Sequence, residues 1–216
     1  MEKIKQHYKI HFTDRYFIVS TLVGFLLLSI SLITQFYASK YVAISVSGSV
    51  SDIILSNTPV YDVDGIFVYG AFVLFFIIFF IVLHRLNYAP FIIKSIAVFT
   101  IVRSIFVSLT HISPFPNHVA ISSVFFRESF FSGIFNYNDL FFSGHTGIPF
   151  LMALIFWDNK KLRFLFLGFS ILMAVVVLLG HLHYSIDVLS AFFITFSIFH
   201  ICKFLFKKDW QLFLKK

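Results

Sequence analysis

The sequence predicts an all-α integral membrane protein, a bundle of six transmembrane helices with both termini cytoplasmic, and three observations carry that expectation. Of its 216 residues, 59% are hydrophobic and only 12% are charged, with a mean hydropathy of +0.91. A soluble domain of this length could not cover such a composition with polar surface. Six apolar segments approach or reach the roughly 20 residues that a helix needs to cross the hydrocarbon core. The basic residues bracket those segments and do not cluster on a soluble face, so the net charge of +7 reads as membrane topology and not as nucleic-acid binding.

The segments are roughly 16–38, 66–83, 90–112, 140–157, 162–179 and 184–206. The first has no small-residue cleavage site and exceeds a signal-peptide apolar region, so it is expected to be a retained helix. Lys3, Lys5, Lys9 and Arg15 precede the first span, Arg85 follows the second, and Lys160, Lys161 and Arg163 separate the fourth from the fifth. Lys203, Lys207, Lys208, Lys215 and Lys216 close the chain. With six spans these all fall on one side, and the positive-inside rule makes it cytoplasmic. Lys40 and Arg127 fall on the other side, with Asp52, Asp62, Asp64, Glu128 and Asp139. Aromatic residues near both ends (Tyr8, Phe12 and Tyr16; Trp210 and Phe213) suit contact with a lipid surface. No linker, low-complexity tract or internal repeat divides the chain, so residues 1–216 read as a single membrane domain. Its lone cysteine, Cys202, excludes a disulfide framework and lies in an apolar run, which makes it a packing residue.

Ionisable residues inside or beside spans are costly and face a bundle interior or cavity. Arg103 lies inside the third span, and His145 opens the fourth within Ser143-Gly144-His145-Thr146. His181, His183 and Asp187 sit where the fifth span hands over to the sixth. The topology, deduced from lysines and arginines elsewhere, brings all of them to one depth on the extracytoplasmic side. His183 and Asp187 are four apart, so on a helix they share a face and the carboxylate can hold Nδ1. Nε2 is then left as a base or nucleophile. Residues 143–145 at a helix N-terminus offer N–H groups, a hydroxyl and a positive dipole end to an anion, and Arg103 adds a planar donor fork.

Blander readings attach to each piece. Arg103 alone could be a snorkelling or inter-helix residue, and His145 or His183 a polar contact between helices. His181 reads as an interface residue, and His111 and His118 carry no motif. Lys94, nine residues before Arg103 on the opposite helix face, is expected to snorkel at the cytoplasmic end. A zinc site from His145, His181, His183 and Asp187 is a rival, disfavoured because an i, i+2 histidine pair diverges on a helix.

At these residues the chain resembles a known family. Asn138-Asp139-Leu140-Phe141-Phe142-Ser143-Gly144-His145-Thr146 is similar to the Gly-Asp-x-Leu-Phe-Ser-Gly-His-Thr motif of sphingomyelin synthases. His181-Leu182-His183-Tyr184-Ser185-Ile186-Asp187-Val188 resembles their His-x-His-Tyr-Thr-Ile-Asp-Val motif. Arg103, with Leu109-Thr110 and Pro114-Phe115-Pro116, resembles a third motif more loosely. That family belongs to the type 2 phosphatidic acid phosphatase superfamily, and the resemblance covers the third to sixth spans, with the core catalytic helices at about 90–207.

The resemblance implies that His183 attacks phosphorus, Asp187 orients it, and His145 protonates the leaving lipid oxygen and later deprotonates the acceptor. Arg103 and Ser143 would hold phosphate oxygens, with Gly144, Asp139 and Tyr184 lining the substrate position. No metal or other cofactor is required; the partners are membrane lipids, with no nucleic acid or protein partner implied. Ile96 and Val177 stand where the hydrolase branch usually carries Lys and Arg, which favours a synthase-like lipid phosphotransferase. Asn138, Gly180 and Ser185 depart from the synthase pattern and leave headgroup and acceptor open. Water in place of the lipid alcohol would make the same site a lipid phosphate phosphatase. A non-catalytic membrane protein with a decayed site is the remote alternative, and a transporter is disfavoured by the absence of broken-helix symmetry.

Overall fold

The computed structural model describes residues 13–119 and 140–215. Asp139, Arg127, Glu128, Lys216 and the basic and aromatic residues before Thr13 lie outside the described residues. Within them the chain is all-helical: α1 (Arg15–Ile44), α2 (Asp64–His84), α3 (Ala89–Thr110), α4 (Gly144–Ile155), α5 (Lys160–Leu179), α6 (Ser185–Leu205) and α7 (Lys207–Leu214). Short 3-10 turns occupy Leu55–Asn57 and Leu86–Tyr88. Five helices are long and apolar enough to cross a membrane: α1, α3 with its preceding turn, α2, α5 and α6.

Two of the expected spans differ in length. α1 continues past residue 38 to Ile44 because its last turns pack on α3, burying Ser39 and Val42. α4 has only 12 residues, about 18 Å at 1.5 Å per residue, against a hydrocarbon core of about 30 Å. It is nonetheless the most enclosed helix, with Leu151, Met152 and Ala153 wholly buried. Gly147 explains how closely it sits: an added Cβ would lie 2.7 Å from the Phe99 ring and 2.9 Å from Thr195 Oγ1. A helix apolar on every side belongs at the centre of a bundle.

Around α4 lie α5 and α6, with α3 bridging to α1 on its far side. α1 and α2 turn long apolar faces outward, including Leu22, Phe25 and Ile33 on one, and Phe75, Phe76 and Phe80 on the other. Lipid is the environment that such faces need. Tyr88, Phe156, Phe166 and Phe213 close one end of the bundle through ring contacts. The start of α3, the end of α4 and α7 therefore meet there. The basic residues Arg85, Lys160, Lys161, Lys207 and Lys208 cluster at the same end by their places in the helices.

That end corrects the reading of Lys94. It is buried, and its Nζ donates to Asp209 Oδ2 at 2.7 Å and to Ser20 Oγ at 2.6 Å. Ser20 Oγ and Tyr16 OH both donate to Asp209 Oδ1. Lys94 does point away from Arg103, as the nine-residue spacing predicts. Yet α1 and α7 enclose that face, so the ammonium is neutralised inside the protein and does not snorkel. Asn87 caps α7 by donating to the carbonyls of Leu212 and Lys215.

Candidate active site

The opposite end gathers the polar residues. α4 opens with Ser143 as its N-cap, whose Oγ accepts from Thr146 N–H at 3.4 Å and from Thr146 Oγ1 at 3.1 Å. Ser143 N–H donates to Asp187 O at 3.2 Å, which fixes the start of α4 against the first turn of α6. Arg103 enters from α3 with its Nε donating to Phe142 O at 2.9 Å. The site for a Cβ on Gly144 is 3.4 Å from that same Nε. The guanidinium thus lies against the N-terminus of α4, whose Gly144 and His145 N–H groups find no acceptor among the described residues. Seven residues of α3 follow Arg103, so the site is sunk about 10 Å below the end of that helix.

His183 precedes α6 and is not on it. Tyr184 is the N-cap, and Asp187 turns back from the third helical position so that its Oδ2 accepts from Tyr184 N–H at 2.9 Å. The same Oδ2 stands 3.4 Å from His183 Nδ1. The four-residue spacing therefore does pair the imidazole with the carboxylate, but through a helix cap and not a shared helix face. Both residues are buried, and Asp187 Oδ1 accepts no hydrogen bond among the described residues. A carboxylate on Nδ1 leaves Nε2 available as a base or nucleophile.

His145 follows Gly144, against which Arg103 lies, on the helix that Ser143 N–H ties to Asp187 O. Its ring stacks on Phe67 of α2, with centroids 3.9 Å apart and planes at 29°. His181 is placed elsewhere: its φ is 52°, its Nδ1 lies 2.7 Å from Asn117 O, and its ring meets Phe115 edge-on. It fastens the segment 111–119 to the turn between α5 and α6. Among the described residues no three His, Cys, Asp or Glu side chains gather as a metal site.

Loop 45–63 covers the turn from the other side. Tyr61 N–H donates to Leu179 O at 2.9 Å. Tyr184 is buried, its hydroxyl donating to Ser113 O at 2.8 Å and accepting from Val50 N–H at 3.3 Å. Its polar atom is thus spent on holding both loops.

Asp52, which sequence reasoning did not single out, completes this cover. Its Oδ2 accepts from Ser185 N–H at 2.7 Å and Ser185 Oγ at 2.8 Å, while Oδ1 accepts from Ile54 and Leu55 N–H. Burial pushes this carboxyl up, but the bonds from Ser185, Leu55 and Ile54 outweigh it and hold the group below its ordinary value. A depressed folded value means stability that is present above the unfolded value, about 3.9, and lost as pH falls through the lower folded value. Asp52→Asn is therefore expected to cost about 1–3 kcal/mol at neutral pH. The melting difference from the parent should narrow below pH of about 4, as followed by thermal unfolding in detergent. The carboxylates of Asp52 and Asp187 occupy the N-terminus of α6, whereas among the described residues no carboxylate occupies that of α4.

Of the sequence candidates, the structure brings together Arg103, Ser143, Gly144, His145, His183 and Asp187. Tyr184 stands behind them, and Asp139 lies outside the described residues. Phe67 was missed because one phenylalanine among 33 carries no signal. Asp52 was missed because its partner, Ser185, is 133 residues away.

These groups gather at one end of an all-helical set of described residues, five of whose helices are long and apolar enough to cross a membrane. Residues 137–204 match the family model described as PAP2 superfamily C-terminal. The match supports the type 2 phosphatidic acid phosphatase superfamily, and with it a lipid phosphatase or phosphotransferase acting on lipid substrates. It takes in Ser143, His145, His183 and Asp187, while Arg103 precedes it. Neither curated proteins nor solved structures provide a match to the chain.

Proposed function

We propose that this protein is a lipid phosphotransferase of the sphingomyelin synthase type. It would move a phospho-headgroup from a glycerophospholipid to a lipid alcohol, ceramide or diacylglycerol, at the extracytoplasmic face of a six-span bundle. His183 Nε2 attacks phosphorus while Asp187 holds Nδ1. The P–O bond to the lipid breaks, its electron pair goes to the leaving oxygen, and that oxygen takes a proton from His145. The acceptor alcohol then gives its proton back to His145 and attacks the phosphohistidine, which regenerates His183. Arg103 and the N–H groups of Gly144 and His145 receive the phosphoryl oxygens. Ser143 contributes by capping α4.

The observation that carries the transferase reading is the charge balance of the site. Among the described residues, Arg103 is the one buried guanidinium or ammonium at this end. Val177, where the hydrolase branch carries an arginine, is wholly buried in an apolar cluster with Val63, Phe67 and Val68. Among the described residues, one buried cation and one helix N-terminus suit the single negative charge of a phosphodiester, the linkage of a phospholipid headgroup. A phosphate monoester, with nearly two charges at neutral pH, calls for more. α4 is read as the short fourth crossing of the six, since it runs from the site to the aromatic end of the bundle.

A lipid-product assay tests the reading. Purified protein in mixed micelles receives fluorescent ceramide or diacylglycerol with phosphatidylcholine or phosphatidylethanolamine and, separately, phosphatidic acid. A phospho-headgroup transferred to the fluorescent alcohol supports a transferase and names the headgroup. Free phosphate from phosphatidic acid without any transferred product would move the protein to the phosphatase branch.

A further inference from the structure

His183 has a carboxylate to orient it, whereas no hydrogen bond from a described residue fixes the ring of His145. That ring stacks on Phe67. Tyr61 N–H on Leu179 O fastens the chain just before α2 to the end of α5. Val63 sits so tightly beneath Gly180 that an added Cβ there would lie 2.5 Å from Val63 Cγ2. Phe67 follows one turn later, its N–H donating to Val63 O at 2.8 Å, and it is 8% exposed. The entry turn of α2 is thus locked to the turn that carries His183, and the ring one helical turn on is laid over His145.

Elsewhere α2 is held loosely, with its outer face given to lipid and few neighbours besides α5. The tight fixing of its first turn stands out against that. A stacked ring restricts a histidine to one plane, and an aromatic face favours a cation above it.

We propose that Phe67 is a positioning residue that holds the imidazole of His145 in line for proton transfer to the leaving lipid oxygen. This rests on the acid–base role given to His145 under the proposed function. In the first half-reaction the bond from phosphorus to the lipid oxygen breaks, the electron pair stays on oxygen, and the proton comes from the His145 imidazolium. A mis-set ring slows that step only where the leaving oxygen needs the proton. A leaving group that departs as a stable anion does not need it.

The test compares single-turnover release of diacylglycerol from phosphatidylcholine with burst release of nitrophenolate from 4-nitrophenyl phosphorylcholine. Phe67→Leu, which keeps an apolar side chain in the same pocket, is expected to slow diacylglycerol release by about tenfold or more. That is a fraction of the roughly 10²–10⁴-fold that general acid catalysis supplies. The half-saturating lipid concentration should stay within about threefold, and nitrophenolate release should fall by less than about threefold, because the proton is not needed there. Phe67→Tyr, which retains the stack, should restore diacylglycerol release. Equal losses on both substrates would mean general damage to the fold and overturn the proposal, as would unchanged rates on both. A parent protein that transfers no headgroup from phosphatidylcholine or phosphatidylethanolamine would instead remove the functional reading on which the proposal stands, and a parent active on phosphatidylethanolamine alone moves the comparison to the corresponding phosphoethanolamine substrates.

Discussion

Replacing His183 by alanine is expected to lower lipid headgroup transfer by roughly 10⁴-fold or more, to the level of the uncatalysed exchange. The size follows from the role: a nucleophile that forms the covalent intermediate cannot be replaced by water arriving at random. The fold should tolerate the change. Among the described residues, the one polar contact of the imidazole is with Asp187 at 3.4 Å, and the cap from Asp187 to Tyr184 N–H remains. Donor binding should persist within a few-fold, since Arg103 and the open turn of α4 are untouched. A detergent-solubilised variant with parental melting temperature, retained lipid binding and no product is the expected combination, checked by thermal unfolding, lipid-binding titration and product analysis.

The second large effect is expected from Asp187→Asn. An amide keeps an oxygen for Tyr184 N–H, so the start of α6 survives, but the charge facing Nδ1 is gone and the tautomer of His183 is no longer imposed. Removal of the orienting charge from a histidine in a comparable arrangement costs about 10⁴-fold. Here a loss of about 10²–10⁴-fold in kcat is expected, with KM changed little. Asp187→Ala removes the cap as well and should lower both activity and melting temperature, by about 1 kcal/mol for the cap alone. Steady-state kinetics beside thermal unfolding separates the two. An Asn variant within threefold of the parent would show that the carboxylate serves only the helix.

The helices that matter were legible in the sequence because hydrophobic runs and basic flanks are local signals. Hydropathy placed α1, α2, α3, α5 and α6 with no reference to one another. The segment before α4 is the exception, since an apolar count cannot tell helical residues from the non-helical ones at 140–143 that carry Phe142 O to Arg103. The clustering of Arg103, His145, His183 and Asp187 at one end was legible because it needs only the alternation of spans. Contacts made at long range were not. Lys94 meets Asp209 across 115 residues, and helical spacing gives the face of a lysine but never the element that will cover it. The pairing of His183 with Asp187 was anticipated through the wrong geometry. Four residues separate the ends of a helix-cap arrangement as well as neighbours on a helix face.

Covalent transfer through His183 can be tested by trapping the intermediate. The purified protein would be mixed with donor phospholipid in the absence of any lipid alcohol, quenched in base, where a histidine phosphoramidate survives, and mapped by peptide mass. A phospho-headgroup adduct on His183 is expected, acid-labile and base-stable, discharged when ceramide or diacylglycerol is added before the quench and absent from His183→Ala. Turnover by the parent with no adduct on His183, or transfer persisting in His183→Ala, would contradict it.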